Sequence, residues 1–225
     1  MKLTYCIFFL FITLFFLRGQ TTVQQFYPSN ALEEIEVLLQ EEKSTRNLVK
    51  LGDLYHSIER YRKAFYYFEK ALQKDSTDLH IYKVAETATR LRNNKKALKL
   101  YRILSAKDSL NTVLRYRIAK FLLKQHEYDA TIKELELLSQ IDTLHPTYPY
   151  QIGLLFSKKS NFSKAIDYFL ESYKRDTTYV ENLFQLSNSF YKLSIEDSLN
   201  VFLEKGIAIA PSHKNLNHLN VNKLR

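Results

Sequence analysis

The sequence predicts an all-α fold, a tandem array of helical hairpins, on three observations. Among 225 residues there are only four Gly and four Pro, far too few to turn the strands of a barrel or sandwich. Gly52, Ala85, Ala119, Gly153 and Ser187 form a column of small residues spaced 33, 34, 34 and 34 apart, each after an aliphatic residue (Leu51, Val84, Ile118, Ile152, Leu186). Three residues beyond each small one stand Tyr55, Ala88, Leu122, Phe156 and Phe190, the i, i+3 spacing of one helical face. Five units follow, over residues 45–77, 78–111, 112–145, 146–179 and 180–213.

Residues 1–20 read as a secretory signal peptide. Lys2 supplies a positive start, Leu3 to Leu17 an uncharged and mostly apolar stretch of 15 residues, and Arg18-Gly19-Gln20 a polar boundary with a small residue. A membrane span needs about 20 apolar residues, so an uncleaved anchor is the second reading of this segment. The mature chain is expected to begin near Gln20 or Thr21 and to lie outside the cytoplasm. Cys6, the single cysteine, sits inside this leader. The mature chain is therefore expected to contain no disulfide, cysteine-ligated metal or thiol nucleophile.

Residues 21–44 read as a linker followed by a capping half-unit, in which Ala31, Ile35 and Leu38 repeat the spacing of a second helix. Open ends of repeat arrays need such covers. In the five units the second helix carries Ala64, Ala97, Thr131, Ala165 and Leu199, then Phe68, Tyr101, Leu135, Phe169 and Leu203, then Ala71, Leu104, Leu138, Ser172 and Gly206. The junctions Asp75-Ser76, Asp108-Ser109, Asp142-Thr143 and Asp176-Thr177 are expected to turn the chain and cap the helix that follows. Pro149 is tolerated only in a first helical turn, where its missing N–H has no helical acceptor to lose. Residues 214–225, with Leu216 and Leu219, form a short capping helix or a tail.

These columns resemble the tetratricopeptide repeat family over residues 45–213, most clearly at Leu51-Gly52-x2-Tyr55 and Tyr61-x2-Ala64-x3-Phe68-x2-Ala71. The resemblance implies a right-handed superhelical solenoid of an exported bacterial type whose first helices line a concave groove. Two departures are notable. The family's common Trp is replaced by Leu48, Ile81, Arg115, Pro149 and Leu183, and its usual Ala by Thr131 and Leu199.

The net charge is +9, and would be +7 without Lys2 and Arg18. The second unit is the most basic, with Lys83, Arg90, Arg92, Lys95, Lys96, Lys99, Arg102 and Lys107 against three acids. Such a face can attract nucleic acid, anionic lipid or an acidic protein, or simply be solvated. Glu33, Glu34, Glu36, Glu41 and Glu42 crowd the half-unit as a solvated face. His56, His80, His126, His145, His213 and His218 form no i, i+4 pair, so no metal site is expected. No phosphate loop, nucleophile elbow or metalloprotease motif occurs, and neither an enzyme nor a cofactor is expected.

Two rows flank the buried stripe of the first helices. Three residues before each small residue stand Val49, Tyr82, Tyr116, Tyr150 and Phe184; five after it stand Ser57, Arg90, Lys124, Lys158 and Lys192. Eight residues separate the rows, about 12 Å along each helix. The resemblance places Tyr82, Tyr116, Tyr150, Phe184, Arg90, Lys124, Lys158 and Lys192 in the groove as a partner-binding set. The other reading makes the rings junction packing and the cations answers to the helix dipole. The family's dicarboxylate clamp is not reproduced: the residue after each small one runs Asp53, Glu86, Lys120, Leu154, Asn188.

The function expected is a non-catalytic protein-interaction scaffold of the bacterial cell envelope, holding a peptide or a partner's helix. Two other readings compete. One is single-stranded nucleic-acid binding through the same rows, which export and the lack of base-selecting polar side chains disfavour; no nucleic-acid partner is expected. The other is an envelope component whose basic outer face meets anionic lipid. Membrane anchorage is expected only if the leader is retained.

Overall fold

The structure, a computed structural model, describes residues 31–40 and 44–222. The expected leader, with Cys6, Glu41 and Glu42, lies outside the described residues. Twelve helices and no strand occur among those described. They are α1 Ala31–Gln40, α2 Thr45–Ser57, α3 Tyr61–Lys74, α4 Asp78–Arg90, α5 Asn94–Lys107, α6 Thr112–Lys124, α7 Tyr128–Ile141, α8 Thr147–Lys158, α9 Phe162–Arg175, α10 Val180–Lys192, α11 Glu196–Ile209 and α12 Lys214–Asn222. No helix among the described residues is long and apolar enough to cross a membrane.

The chain divides into two compact units between Asn93 and Asn94. In the first, α1 to α4 pack each on the next; in the second, α5 to α12 do the same, and α10 also touches α8 and α12. Ile35 and Leu38 of α1 are buried, as the capping spacing requires. At the other end Leu216 and Leu219 of α12 are buried in a cluster with Leu186, Leu199 and Leu203.

The small-residue column exists because the hairpin brings a second-helix side chain onto the first-helix backbone. A Cβ built on Gly52 would lie 2.3 Å from Cε1 of Phe68, and one on Gly153 2.5 Å from Cε1 of Phe169. Where the small residue is Ala119 or Ser187, the residue 16 positions on is Leu135 or Leu203. All of these side chains are buried. In these four hairpins the pair is complementary in volume, no side chain against Phe and a small one against Leu, whereas Ala85 has the fully buried Tyr101 sixteen positions on.

Each hairpin turns through a residue in the left-handed region: Glu59, Arg92, His126, Ser160 and Ser194 all have φ between 57° and 62°. The amide that follows donates back to the first helix, as in Arg60 to Tyr55 at 2.8 Å, Asn161 to Phe156 at 2.9 Å and Ile195 to Phe190 at 3.0 Å. These bonds satisfy carbonyls that a helix end leaves open.

The junction aspartates do not cap the helices that follow them. Thr77 and Asn111 do so instead, accepting from the amides of His80 at 3.3 Å and Leu114 at 3.1 Å. Asp75, Asp142 and Asp176 close the preceding helices, donating their own amides to Ala71, Leu138 and Ser172. Asp142 and Asp176 also fold the loop over their carboxylates, accepting from the amides of Leu144 and Thr178. The chain needs two or three more residues to turn, so the cap falls downstream of the aspartate. Pro149 lies in the first turn of α8.

Arg175 ties one junction together. Its guanidinium donates to Oγ of Ser139 at 2.7 Å and to the carbonyls of Ser139, Asp142 and His145, and pairs with Glu171. The end of α7 thereby gains donors for carbonyls that its own helix cannot serve.

Two outcomes are expected. Gly153→Ala should destabilise the chain by about 1–3 kcal/mol through overpacking, and adding Phe169→Leu, which recreates the Ala119–Leu135 pairing, should recover part of that loss in a double-mutant cycle of denaturant midpoints. Ser160→Gly should raise stability by up to about 1 kcal/mol, because glycine adopts positive φ without the steric cost that a side chain imposes.

Candidate functional site

In the second compact unit the first-helix face is carried by α6, α8 and α10. Tyr116, Tyr150 and Phe184 lie near their N-terminal ends and are half-buried; Lys124, Lys158 and Lys192 are the last residues of the same helices and are exposed. The helical rise holds the two rows about 12 Å apart on each helix. Tyr82, half-buried, and Arg90, exposed, hold the corresponding positions on α4 of the first unit.

The rings of Tyr116, Tyr150 and Phe184 each lie against the junction that follows their own helix pair. Tyr116 lies 6.1 Å, centroid to centroid, from Tyr148, and its hydroxyl accepts from Nε2 of Gln151 at 3.1 Å. Tyr150 lies 4.8 Å from Tyr179 and 5.9 Å from Phe169. Phe184 lies 6.0 Å from the ring of His213, in the turn before α12. The row therefore seals junctions, as the packing reading expects, while each ring keeps part of its surface open. Burial pushes the Tyr150 hydroxyl up to about 12, with the nearby Tyr179 and Glu181 adding to the shift. Tyr148 and Tyr179 are raised in the same direction, again chiefly by burial.

The cations sit differently. Lys158 extends its ammonium over the ring of Tyr128, 4.8 Å from the centroid, and Lys124 lies 5.9 Å from that of Phe121. Both contacts leave the lysines exposed, and all three oppose the negative end of a helix dipole. Between the rows stands Lys120, its ammonium 5.7 Å from the Tyr116 ring centroid.

Three exposed apolar residues on these helices escaped the reading by rows: Val113 at 58%, Leu123 at 41% and Tyr191 at 37% exposure. Leu123 and Tyr191 occupy one repeat position, immediately before Lys124 and Lys192. The period that revealed the other columns also contains this one, but His56, Thr89 and Ser157 interrupt its apolar character. The face can thus offer apolar anchors with ammonium groups beside them. Among the described residues no group of three or more His, Cys, Asp or Glu could hold a metal ion.

Raising the pH should weaken the fold through these tyrosines. A hydroxyl whose folded pKa exceeds its unfolded value contributes fully below pH about 10 and loses that contribution as pH rises toward about 12. Tyr150→Phe should accordingly lessen the fall in denaturant midpoint across this window, and tyrosinate absorbance should show one late-titrating group fewer.

No protein-family model matches the chain, and no curated protein matches it. Solved structures do. YrrB, described as a TPR protein with an unusual peptide-binding site, superimposes with a TM-score of 0.63 at 15% identity, over 83% of this chain and 97% of that one. The C-terminal part of a TPR repeat-containing protein from Cytophaga hutchinsonii gives a TM-score of 0.65 at 14% identity, covering 81% and 75% of the two chains. MamA from Desulfovibrio magneticus gives 0.57 at 12% identity, covering 80% and 97%. All three likenesses are of fold.

Proposed function

For a chain with the tetratricopeptide-repeat fold, we propose a non-catalytic scaffold role in the bacterial cell envelope, in which the face of α6, α8 and α10 holds a peptide or a partner's helix. The observation that carries this reading is the pairing on one face of exposed apolar side chains with exposed lysines, Leu123 beside Lys124 and Tyr191 beside Lys192. Apolar anchors ringed by charge are what protein interfaces use. The peptide-binding site ascribed to YrrB is in keeping with it. Export rests on the apolar stretch from Leu3 to Leu17.

The division of labour within the face follows from burial. Tyr116 and Tyr150 are tied into junctions, so a partner meets surfaces that are already fixed and loses little freedom in covering them. Leu123 and Tyr191 stand free enough to be covered entirely. The lysines remain hydrated at helix ends, where they steer an approaching partner more than they hold it.

A photo-crosslinking residue at Leu123, expressed in the native host, should capture a protein identifiable by mass spectrometry; capture of RNA alone would overturn the reading. With that partner in hand, Leu123→Ala and Tyr191→Ala should each weaken binding by about 1–3 kcal/mol, mainly through faster dissociation, with unchanged melting. Tyr116→Ala and Tyr150→Ala should weaken binding and also lower the melting temperature. Lys124→Ala and Lys158→Ala should mainly slow association and flatten its salt dependence.

A further inference from the structure

The second-helix face of the same compact unit has a different chemistry, and the partner-binding reading does not use it. Helix α5 buries Ala97, Leu98, Leu100, Tyr101 and Leu104 on one side. On the other, Lys95, Lys99 and Arg102 follow one another at i, i+4 and i+7, all exposed, with Ile103 beside them at 39% exposure. No acidic residue occurs in α5, and Lys95, Lys99 and Arg102 form no ion pair among the described residues. At the equivalent positions of the next second helix, α7, only Lys133 keeps a cation, in place of Lys99; Asp129 and Glu136 stand in place of Lys95 and Arg102.

Each acid of α7 has its partner away from α5, that of Glu136 being a neutral hydroxyl, so the basic stripe belongs to α5 alone. Asp129 pairs with Lys159, Glu134 with Arg115 at 2.9 Å, and Glu136 accepts from the Tyr168 hydroxyl at 2.6 Å. Lys159 and, to a lesser extent, Lys133 hold the Asp129 carboxyl below its ordinary range. Positive charge is thus left over on α5, set beside the aliphatic Ile103.

We infer that the outer face of α5 docks on an anionic lipid bilayer surface. Three features select that occupant. Exposed lysines on long hydrated stems suit a laterally fluid surface of negative headgroups, whereas a fitted protein interface depletes lysine at its centre. Ile103 is aliphatic, able to dip into the headgroup boundary but unable to stack a nucleic-acid base. Because the apolar side of α5 is already spent in the core, the contact is peripheral, with no insertion of the helix and strong dependence on salt.

Flotation of the full chain with vesicles tests the inference, comparing phosphatidylcholine alone with equal parts phosphatidylcholine and phosphatidylglycerol. Residues 1–20, with Lys2 and Arg18, are the same in every variant, so comparing the variants isolates the contribution of α5. At low salt the mixed vesicles should capture the chain about tenfold or more over the neutral ones, and raising salt should abolish the difference. Lys95→Gln/Lys99→Gln/Arg102→Gln should remove most of that preference without altering circular dichroism or melting. Lys124→Gln/Lys158→Gln/Lys192→Gln, matched in charge but on the other face, should keep it. Equal capture by both compositions overturns the inference, as does equal loss in the two triple variants, which would mark a bulk charge effect. So does capture of single-stranded RNA or of an acidic protein by α5 with no vesicle preference. None of these results bears on the crosslinking at Leu123, so the two readings fail separately.

Discussion

Everything in this fold depends on how closely the two helices of a hairpin can approach. At Gly52 and Gly153 the approach leaves no room for a Cβ, because the ring of Phe68 or Phe169 lies against the helix backbone. That contact fixes the rotation of the first helix about its own axis, and the rotation decides which residues point outward. A side chain three positions before the small residue must fall at the edge of the buried stripe, and one five positions after it must fall in solvent. The half-buried rings and exposed lysines of α6, α8 and α10 are consequences of that single register.

The hairpins and their phase were legible in the sequence because a small residue repeated every 33 or 34 positions has one economical explanation, a close helix crossing. The ends were legible for the same reason, since Ile35 with Leu38 and Leu216 with Leu219 are apolar pairs at helical spacing. Three things were hidden. The left-handed turn residues are Glu, Arg, His and Ser, none of which announces positive φ as glycine does. The helix caps fall on Thr77 and Asn111 because the junction aspartates are consumed in closing the previous helix. The exposed apolar position at Leu123 and Tyr191 was hidden too, since His56, Thr89 and Ser157 interrupt its column.

Within the second compact unit, the two faces divide polar chemistry between them. Two acidic groups pair at junctions, Glu134 with Arg115 and Glu171 with Arg175. Cations collect at first-helix ends on one face and along α5 on the other. The two positive surfaces have different apolar neighbours, aromatic and leucine side chains on one and an aliphatic side chain on the other.

The five left-handed turns have an evolutionary consequence. Each holds a non-glycine residue, mostly exposed, whose conformation costs free energy and is maintained by carbonyl bonds from the helix it ends. A reserve of stability is therefore stored at five sites remote from the packed columns, where a one-residue change can release it. A repeat protein of this kind can absorb destabilising substitutions on its recognition surfaces, and so change partners, while the interior that defines it stays as it is.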